Sequence, residues 1–265
     1  MKRIFSILLA SAFVFGMSCQ SGQKKSSQES QEKSAPVEET VGPNQLTQAE
    51  KDGGWVLLFD GKTDNGWRGY DKKIFPTGWE VADGTLHCKG SGNGEAGGPD
   101  GGDILYDKKF KDFDLKMDFK ISKGGNSGIF YLAQEIPGKE VWRTAPEYQI
   151  LDNANHIDAT LGKDGNRQSG SLYDLIPAKP QNAKPFGEWN TAEIISYQGT
   201  IVHKQNGVTV LEYHLWTPEW KKLVADSKFP EYNKDWADVA KEGFIALQDH
   251  GADVWFRNIK IKVLD

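Results

Sequence analysis

Apolar and polar residues alternate in many short runs from residue 52 onward, and Gly, Asn or Asp residues interrupt the runs. Runs of this length that are rich in β-branched and aromatic residues and bounded by turn residues are typical of β-strands. We predict strands within the segments 55–62, 78–88, 113–122, 127–135, 147–152, 190–213, 243–251 and 254–264.

Two dipeptides predict tight hairpins between these strands. Asn206-Gly207 and Asp83-Gly84 both lie between extended runs and match the type I′ turn. Helical patterns are confined to short stretches near 217–229 and 233–243. Strands in series without interleaved helices or a constant repeat favour an all-β fold, a sandwich of two antiparallel sheets with short helices in its loops.

The first residues have the pattern of an export signal. The basic start MKR precedes an apolar run over residues 4–17, which is too short for a comfortable membrane span. A small residue, Ser18, then precedes Cys19, the position at which a bacterial lipoprotein is cleaved and acylated. We interpret 1–18 as a lipoprotein signal peptide with lipidation at Cys19, and expect an exported lipoprotein on the periplasmic side of the outer membrane or at the cell surface.

Residues 19–51 are rich in Ser, Gln and Glu and contain few apolar positions. Such a segment cannot bury enough surface to fold, so we predict a disordered polar tether that precedes one domain over residues 52–265. Contact with the membrane is expected only through the lipid anchor. The sequence leaves the oligomeric state open.

Composition excludes several classes of function. The chain has 265 residues and a formal net charge of -5, so it lacks the basic excess of a nucleic-acid-binding protein. A zinc motif, a phosphate loop and a nucleophile elbow are also absent from the sequence, and we predict no cofactor or metal. The EF-hand spacing is missing, although a structural calcium ion at a loop rich in Asp and Gly stays open.

The stretch TAPEYQILDN, residues 144–153, raises the question of function. In a strand, Glu147 and Gln149 lie on one face, whereas Tyr148 and Ile150 lie on the other. Gln248 and His250 show the same spacing in IALQDHG, in front of an apolar pair. An ordinary outer surface would account for either pair, but two such strands favour a ligand-binding face.

Further polar and aromatic residues are candidates for the same site. Asn126 follows a Gly-Gly pair, Tyr173 ends a long loop, and Trp189 stands at the start of a strand. Arg257 is a candidate only if a bulge near Asn258 turns it to the polar face, because strict alternation groups it with apolar neighbours. An alternative role for Arg257 is an ion pair that holds Glu147.

The ordered blocks of the chain resemble the 3-keto-disaccharide hydrolase domain family, which belongs to the concanavalin-like lectin and glucanase superfamily. The resemblance extends from about residue 54 to residue 263 and rests on WVLLFDGK, WEVADGTLH, GGNSGIFY, EYQILD, SLYDLIP, GEWN, NGVTV and LQDHGADVWFRNIKIK. It implies a jelly-roll β-sandwich with a site on its concave sheet and an activity on sugars oxidised at C3.

A 3-keto sugar implies a particular chemistry. Its carbonyl group acidifies the C2 proton, so one base can form an enolate, the C1 substituent can leave by β-elimination, and water can add back. The candidates for the base and an acid are Glu147 and His250, in either order. The candidate donors and substrate contacts are Gln149, Gln248, Asn126, Arg257, Tyr173 and Trp189.

Two other functions stay open at this point. The same fold could be a non-catalytic carbohydrate-binding lipoprotein, which would also bind an oligosaccharide or glycoside. It could also be a conventional endo-glucanase, but that enzyme needs paired carboxylates. In EYQILD, the amide of Gln149 stands where the second acid would be expected.

Overall fold

The computed structural model of the protein describes residues 41–91 and 101–265. In chain order the helices are α1 (Gln48–Asp52), α2 (Pro218–Ala225) and α3 (Phe229–Tyr232), and short 3-10 helices lie at Val141–Arg143 and Ile157–Thr160. The strands are β1 (Trp55–Leu57), β2 (Trp67–Gly69), β3 (Trp79–Ala82), β4 (Thr85–Cys88), β5 (Ile104–Tyr106), β6 (Phe113–Ile121), β7 (Asn126–Ala133), β8 (Glu147–Leu151), β9 (Asn190–Tyr197), β10 (Thr200–Gln205), β11 (Val208–His214), β12 (Phe244–Leu247) and β13 (Val254–Val263).

The described strands form two antiparallel sheets, which confirms the predicted concanavalin-like jelly-roll sandwich. The larger sheet has the order β11-β10-β9-β6-β13-β4-β3, and β1 also pairs with β13. The smaller sheet has the order β2-β5-β12-β7-β8. Both predicted hairpins are confirmed, because β3–β4 turns at Asp83-Gly84 and β10–β11 turns at Asn206-Gly207, with positive φ at all four residues.

The larger sheet has one buried face and one polar face. Along β6, buried positions alternate regularly with half-buried ones. Met117 and Phe119 point into the core and are each 1% exposed, whereas Lys116 and Lys120 lie on the outer face. This period of two is the pattern expected for a sheet that packs on a core with one side only.

The smaller sheet is buried on both faces. Every residue of β7 is buried. Ile129 and Tyr131 belong to the core between the sheets, whereas Phe130 packs on the opposite face in a second apolar cluster with Leu105 and Ala246. Polar side chains on this second face are therefore removed from bulk water, which distinguishes it from an ordinary outer surface.

The folded region begins earlier than the sequence predicts. Asn44 exchanges hydrogen bonds with Asn258 and donates to the carbonyl of Gly84 at 2.9 Å. α1 follows with a capping box formed by Thr47 and Glu50. The predicted tether boundary at residue 51 is thus wrong for its last residues, because side-chain pairing with the domain orders them. The remaining tether and the signal peptide with Cys19 lie outside the described residues.

Only one of the two stretches with a helical pattern forms helices. The stretch 217–229 contains α2 and the first residue of α3, whereas the helix predicted near 233–243 is wrong, since this segment forms turns. There Trp236 packs into the core and donates to the carbonyl of Trp142 at 2.9 Å. In the described part of the chain, no helix has the length and apolarity needed to cross a membrane.

Candidate active site

A cavity of about 580 Å³ opens on the face of the smaller sheet that points away from the core. Its wall includes six residues that the sequence analysis selected, namely Asn126, Glu147, Gln149, Tyr173, Gln248 and His250. They come from β7, β8, the end of β12 and one long loop. The structure thus brings together both candidate catalytic residues and four of the six candidate binding residues.

Strand register explains why these side chains meet. Gly128 of β7 pairs with Gln149, and Phe130 pairs with Glu147, so the polar residues of β8 lie beside β7 on the outer face. The backbone N–H of Gln248 donates to the carbonyl of Gly128 at 2.9 Å and continues the pairing beyond β12. The predicted alternation is confirmed, because Tyr148 and Ile150 lie in the core behind them.

The cavity contains an unusual concentration of unpaired polar atoms. In the described part of the chain, five buried side-chain atoms have no hydrogen-bond partner, and four of them belong to this wall: Asn126 Oδ1, Gln149 Oε1, Gln248 Oε1 and His250 Nδ1. Leaving such an atom unpaired costs about 1–3 kcal/mol. Because all four atoms face one open cavity, solvent or a polar ligand that enters it can complete these bonds.

Glu147 is an acid with a strongly altered proton affinity. Its side chain is 6% exposed, and this burial raises the pKa of the carboxyl to about 8. The nearby ammonium of Lys228 opposes the rise, whereas the charges of Asp103 and Asp158 add to it. Glu147 therefore holds its proton over most of the neutral range.

A second carboxyl in the wall, Asp103, escaped the sequence analysis. Burial raises its pKa to about 7, although its Oδ1 accepts a hydrogen bond from the backbone N–H of Asp249 at 2.9 Å. Asp103 directly precedes β5 in a glycine-rich stretch. The composition of this stretch does not indicate which of its aspartates lines a cavity, because that depends on how the loop packs.

Asp249 anchors the loop that carries Gln248 and His250. Its side chain is 2% exposed and accepts hydrogen bonds from the backbone N–H groups of Gly102, at 2.8 Å, and Gly251, at 3.0 Å. These bonds tie the end of β12 to the segment before β5. Asp249 therefore positions the two residues on either side of it and does not line the cavity.

Tyr173 is held in the wall by a charged network. Its Oη donates to Asp158 Oδ2 at 3.2 Å, and Arg167 binds the same carboxylate at 3.0 Å. From the segment between α2 and α3, Lys228 Nζ donates to Tyr173 Oη at 3.1 Å. Lys228 was not selected from the sequence, because it lies in a short polar turn without any motif.

Aromatic rings form much of the remaining wall, which also includes Lys139 and Glu140. Trp142 and Tyr232 meet edge to face with centroids 4.9 Å apart, and Tyr70 and Phe229 also line the cavity. Aromatic surface beside hydrogen-bonding groups suits a ligand with both apolar and polar faces.

Arg257 and Trp189 do not line this cavity. The predicted bulge near Asn258 is confirmed, since the register of β13 shifts between Arg257 and Lys260 and Asn258 has a φ of 53°. However, β13 belongs to the larger sheet, where the Arg257 guanidinium lies 4.0 Å from the Trp189 ring centroid and 3.4 Å from Asp118. The ion pair of Arg257 with Glu147, considered as an alternative, is wrong for the same reason.

Metal ligands are not clustered within residues 41–91 and 101–265, where no group of three or more His, Cys, Asp or Glu side chains could hold an ion. The expectation of no cofactor, with a structural calcium ion left open, stays a prediction. The side chains present in the cavity can donate and accept protons and hydrogen bonds.

Comparison with known proteins gives consistent matches. The family model described as the 3-keto-alpha-glucoside-1,2-lyase-like domain matches residues 54–262. A 3-keto-disaccharide hydrolase of Bacteroides thetaiotaomicron is 51% identical over 292 residues, with 100% of both chains covered.

Solved structures also match. A crystal structure of a candidate glycosyl hydrolase from Parabacteroides distasonis is 30% identical, with a TM-score of 0.73 and coverage of 84% of this chain and 100% of its own. A second one from the same organism is 28% identical, with a TM-score of 0.61 and coverage of 79% and 99%. These relatives support a glycoside hydrolase-type activity. With a family model that spans most of the chain and a relative that matches it from end to end, this protein belongs to the 3-keto-alpha-glucoside-1,2-lyase-like family.

Proposed function

We propose that this enzyme cleaves the glycosidic bond of 3-keto-glycosides or 3-keto-disaccharides by removing the C2 proton and eliminating the C1 substituent. Addition of water to the product then gives net hydrolysis. The observation that carries the proposal is the pairing, in one cavity, of a carboxyl that holds its proton at neutral pH with a buried imidazole nitrogen that has no partner among the described residues.

The two groups divide the proton transfers between them. Glu147 is protonated below about pH 8, so it can give its proton to the leaving C1 oxygen. His250 Nδ1 is free of hydrogen bonds to described residues and can take the C2 proton. Of the two orders that the sequence left open, we therefore propose Glu147 as the acid and His250 as the base.

Three amide side chains in the cavity bind and orient the sugar. The unpaired oxygens of Asn126, Gln149 and Gln248 are acceptors for sugar hydroxyl groups. A site with several buried polar groups discriminates strongly against ligands that leave them unpaired. The volume of about 580 Å³ lies within the usual range of about 300–1,000 Å³ for ligand pockets and gives room for a disaccharide.

Conventional glycoside hydrolysis is a second candidate because Asp103 provides another carboxyl in the same wall. That mechanism needs one carboxyl group as an acid and the other as an ionised base or nucleophile. Burial raises the pKa of Asp103 to about 7 and that of Glu147 to about 8, so neither is a stable carboxylate at neutral pH. Glu140 also lines the cavity, and a backbone hydrogen bond lowers its pKa, but its carboxylate is bound by Arg143 at 2.6 Å. The elimination mechanism, which uses an imidazole base, agrees better with these proton affinities.

The proposal is tested with purified protein and four substrates. These are a nitrophenyl glucoside, a glucose disaccharide and the 3-keto derivative of each, with release of the leaving group as the readout. We expect rapid release from the keto compounds only. Cleavage of unoxidised sugars would favour a conventional hydrolase, and binding without release would favour a carbohydrate-binding module.

Two variants separate the acid from the base. Glu147→Gln is expected to lose most activity on the keto disaccharide but to keep much of its activity on the keto nitrophenyl glucoside, because nitrophenolate leaves without protonation. His250→Ala should lose both activities together, since every substrate needs C2 deprotonation. If Glu147→Gln abolishes both activities equally, the assignment of Glu147 as the acid is incorrect.

We also propose that the enzyme is an exported lipoprotein that is anchored through Cys19, on the pattern of the first nineteen residues. Labelling of cells with a radioactive fatty acid is expected to mark the protein, and Cys19→Ala is expected to remove the label. An unlabelled protein in the membrane fraction would contradict the proposal.

A further inference from the structure

Lys228 brings a positive charge to the wall of the cavity that contains Glu147. It lies directly before α3, and its side chain is half-buried. Its Nζ donates to Tyr173 Oη at 3.1 Å and lies 4.4 Å from the centroid of that ring. Within the described residues, Lys228 forms no ion pair with a carboxylate, and the tyrosine hydroxyl is its side-chain hydrogen-bond partner.

Two of the other partly buried lysines of the protein pair with carboxylates. Lys204 Nζ lies 2.8 Å from Glu193, and Lys260 pairs with Glu50. Burial lowers the pKa of Lys228, and this effect is opposed by the charges of Asp174, Glu147 and Asp158 and increased by Arg167. An ammonium group held at a cavity wall without its own counterion is suited to a ligand that carries or develops negative charge.

We infer that Lys228 is a catalytic residue that stabilises the negative charge on the C3 oxygen of the substrate, and that Tyr173 positions it. This inference rests on the function proposed above. It assigns the stabilisation of this charge to Lys228, which the sequence pattern did not identify as a site residue.

The step that Lys228 assists can be written bond by bond. His250 takes the C2 proton, the C2–H electron pair forms a C2–C3 double bond, and the carbonyl pair moves onto the C3 oxygen. That oxygen is now negative and lies beside the ammonium of Lys228. The electron pair on the C3 oxygen then re-forms the carbonyl group, the electrons of the C2–C3 double bond form a C1–C2 double bond, and the C1–O bond breaks. Glu147 protonates the leaving oxygen. The product has a C1–C2 double bond conjugated with the C3 carbonyl.

Tyr173 fixes the direction of the ammonium group. Its hydroxyl accepts from Lys228 and donates to Asp158, and Arg167 holds Asp158 on the other side. A donor that is held in place before the reaction stabilises developing charge without reorganisation. The hydrogen bonds around Tyr173 therefore orient the ammonium group of Lys228 in addition to ordering the loop.

The test compares Lys228→Met with wild type on both 3-keto substrates. We expect kcat to fall about 100- to 1,000-fold with either leaving group, because the enolate forms before the leaving group departs. Lys228→Arg is expected to recover part of the activity. Tyr173→Phe, which keeps the ring and removes the hydroxyl, should give a smaller loss. Lys221→Met, the same change at an exposed position of α2, is the control and should match wild type.

A second readout separates charge stabilisation from a structural role. Removing the ammonium raises the pKa of Glu147 further, since the charge of Lys228 now lowers it. The loss of activity at alkaline pH should therefore move to higher pH in Lys228→Met. In Lys228→Arg, which keeps the positive charge, the pH at which activity is lost should not change.

Three outcomes would overturn the inference. The first is a Lys228→Met enzyme with wild-type kcat, and the second is an unshifted pH profile with reduced kcat. The third is a borohydride-trapped adduct between Lys228 and the substrate, which would show covalent chemistry instead. If Lys228→Met does not fold, an unchanged kcat in Tyr173→Phe would also overturn it. A wild-type enzyme inactive on 3-keto sugars would instead refute the underlying proposed function.

Discussion

The carboxyl group of Glu147 lies against the backbone of Gly128 on the neighbouring strand. A Cβ atom at position 128 would come within 2.3 Å of Glu147 Oε1 and 2.8 Å of its Cδ. Such distances are far shorter than any van der Waals contact, so a side chain at position 128 and the observed position of Glu147 exclude each other. The glycine in NSGIFY thus provides the space in which the carboxyl of Glu147, the proposed acid, lies.

Gly128→Ala is therefore expected to displace Glu147 while the sheet stays folded, because φ at this position is not in the left-handed region. A displacement of about 1 Å at a catalytic group can reduce the rate about 100-fold. We expect a loss of this size in kcat on a keto disaccharide. Gly42→Ala is the control, since its nearest neighbour would be 3.7 Å away. Full activity in Gly128→Ala would show that Glu147 needs no fixed position.

The proton on Glu147 predicts a particular pH dependence. If the protonated carboxyl serves the leaving group, the activity on a keto disaccharide must fall as pH rises through about 8. The fall should be weak for a nitrophenyl leaving group and absent in Glu147→Gln. A rate that instead rises through about pH 8 would indicate that Glu147 acts as the base.

The same carboxyl should lower the stability of the folded state at alkaline pH. Between its ordinary pKa of 4.5 and its folded value of about 8, the folded protein keeps a proton that the unfolded chain releases. The free energy of unfolding therefore falls as pH rises across this window. Glu147→Gln removes this contribution and should exceed wild type above about pH 8 by on the order of a few kcal/mol.

Urea unfolding of both proteins at a series of pH values measures this difference. Asp103, whose pKa is also raised by burial, contributes a slope to both curves, so the difference between the curves is the relevant quantity. Glu188→Gln, at an exposed position, serves as the control and should follow wild type at every pH. A difference between Glu147→Gln and wild type that is constant with pH would contradict a raised pKa.

Asp249 is expected to affect catalysis without touching the substrate. Asp249→Ala leaves the N–H groups of Gly102 and Gly251 without their acceptor, which costs about 1–3 kcal/mol of stability for a buried group. Because Gln248 and His250 flank it, kcat should also fall. Circular dichroism and kinetics measure the two effects, with the exposed Asp235→Ala as the control. A loss of stability with full activity would show that the two neighbours are positioned by other contacts.

Much of this site could be predicted from local sequence pattern. Strand alternation separates Glu147 and Gln149 from Tyr148 and Ile150 regardless of the rest of the fold. The hairpin at Asn206-Gly207 likewise depends only on adjacent residues that tolerate positive φ. These features require no knowledge of which strands become neighbours.

The remaining features depend on tertiary structure. Arg257 has the polarity of a site residue, but the sheet that contains it is decided by the pairing of β13 with β6 and β4. Asp103 and Lys228 come from loops, where side-chain direction follows from packing and has no period. The pairing of Asn44 with Asn258 joins residues 214 positions apart, so the polar segment around Asn44 resembles a linker in sequence.

The most direct test of the elimination mechanism is the isotopic content of its product. Wild-type enzyme hydrolyses a 3-keto disaccharide in heavy water, and mass spectrometry measures deuterium at C2 of the released 3-keto sugar, corrected for exchange without enzyme. Elimination followed by addition of water predicts one solvent deuteron at C2 of each product molecule. Product that retains its original C2 proton would contradict the mechanism and indicate direct displacement at C1.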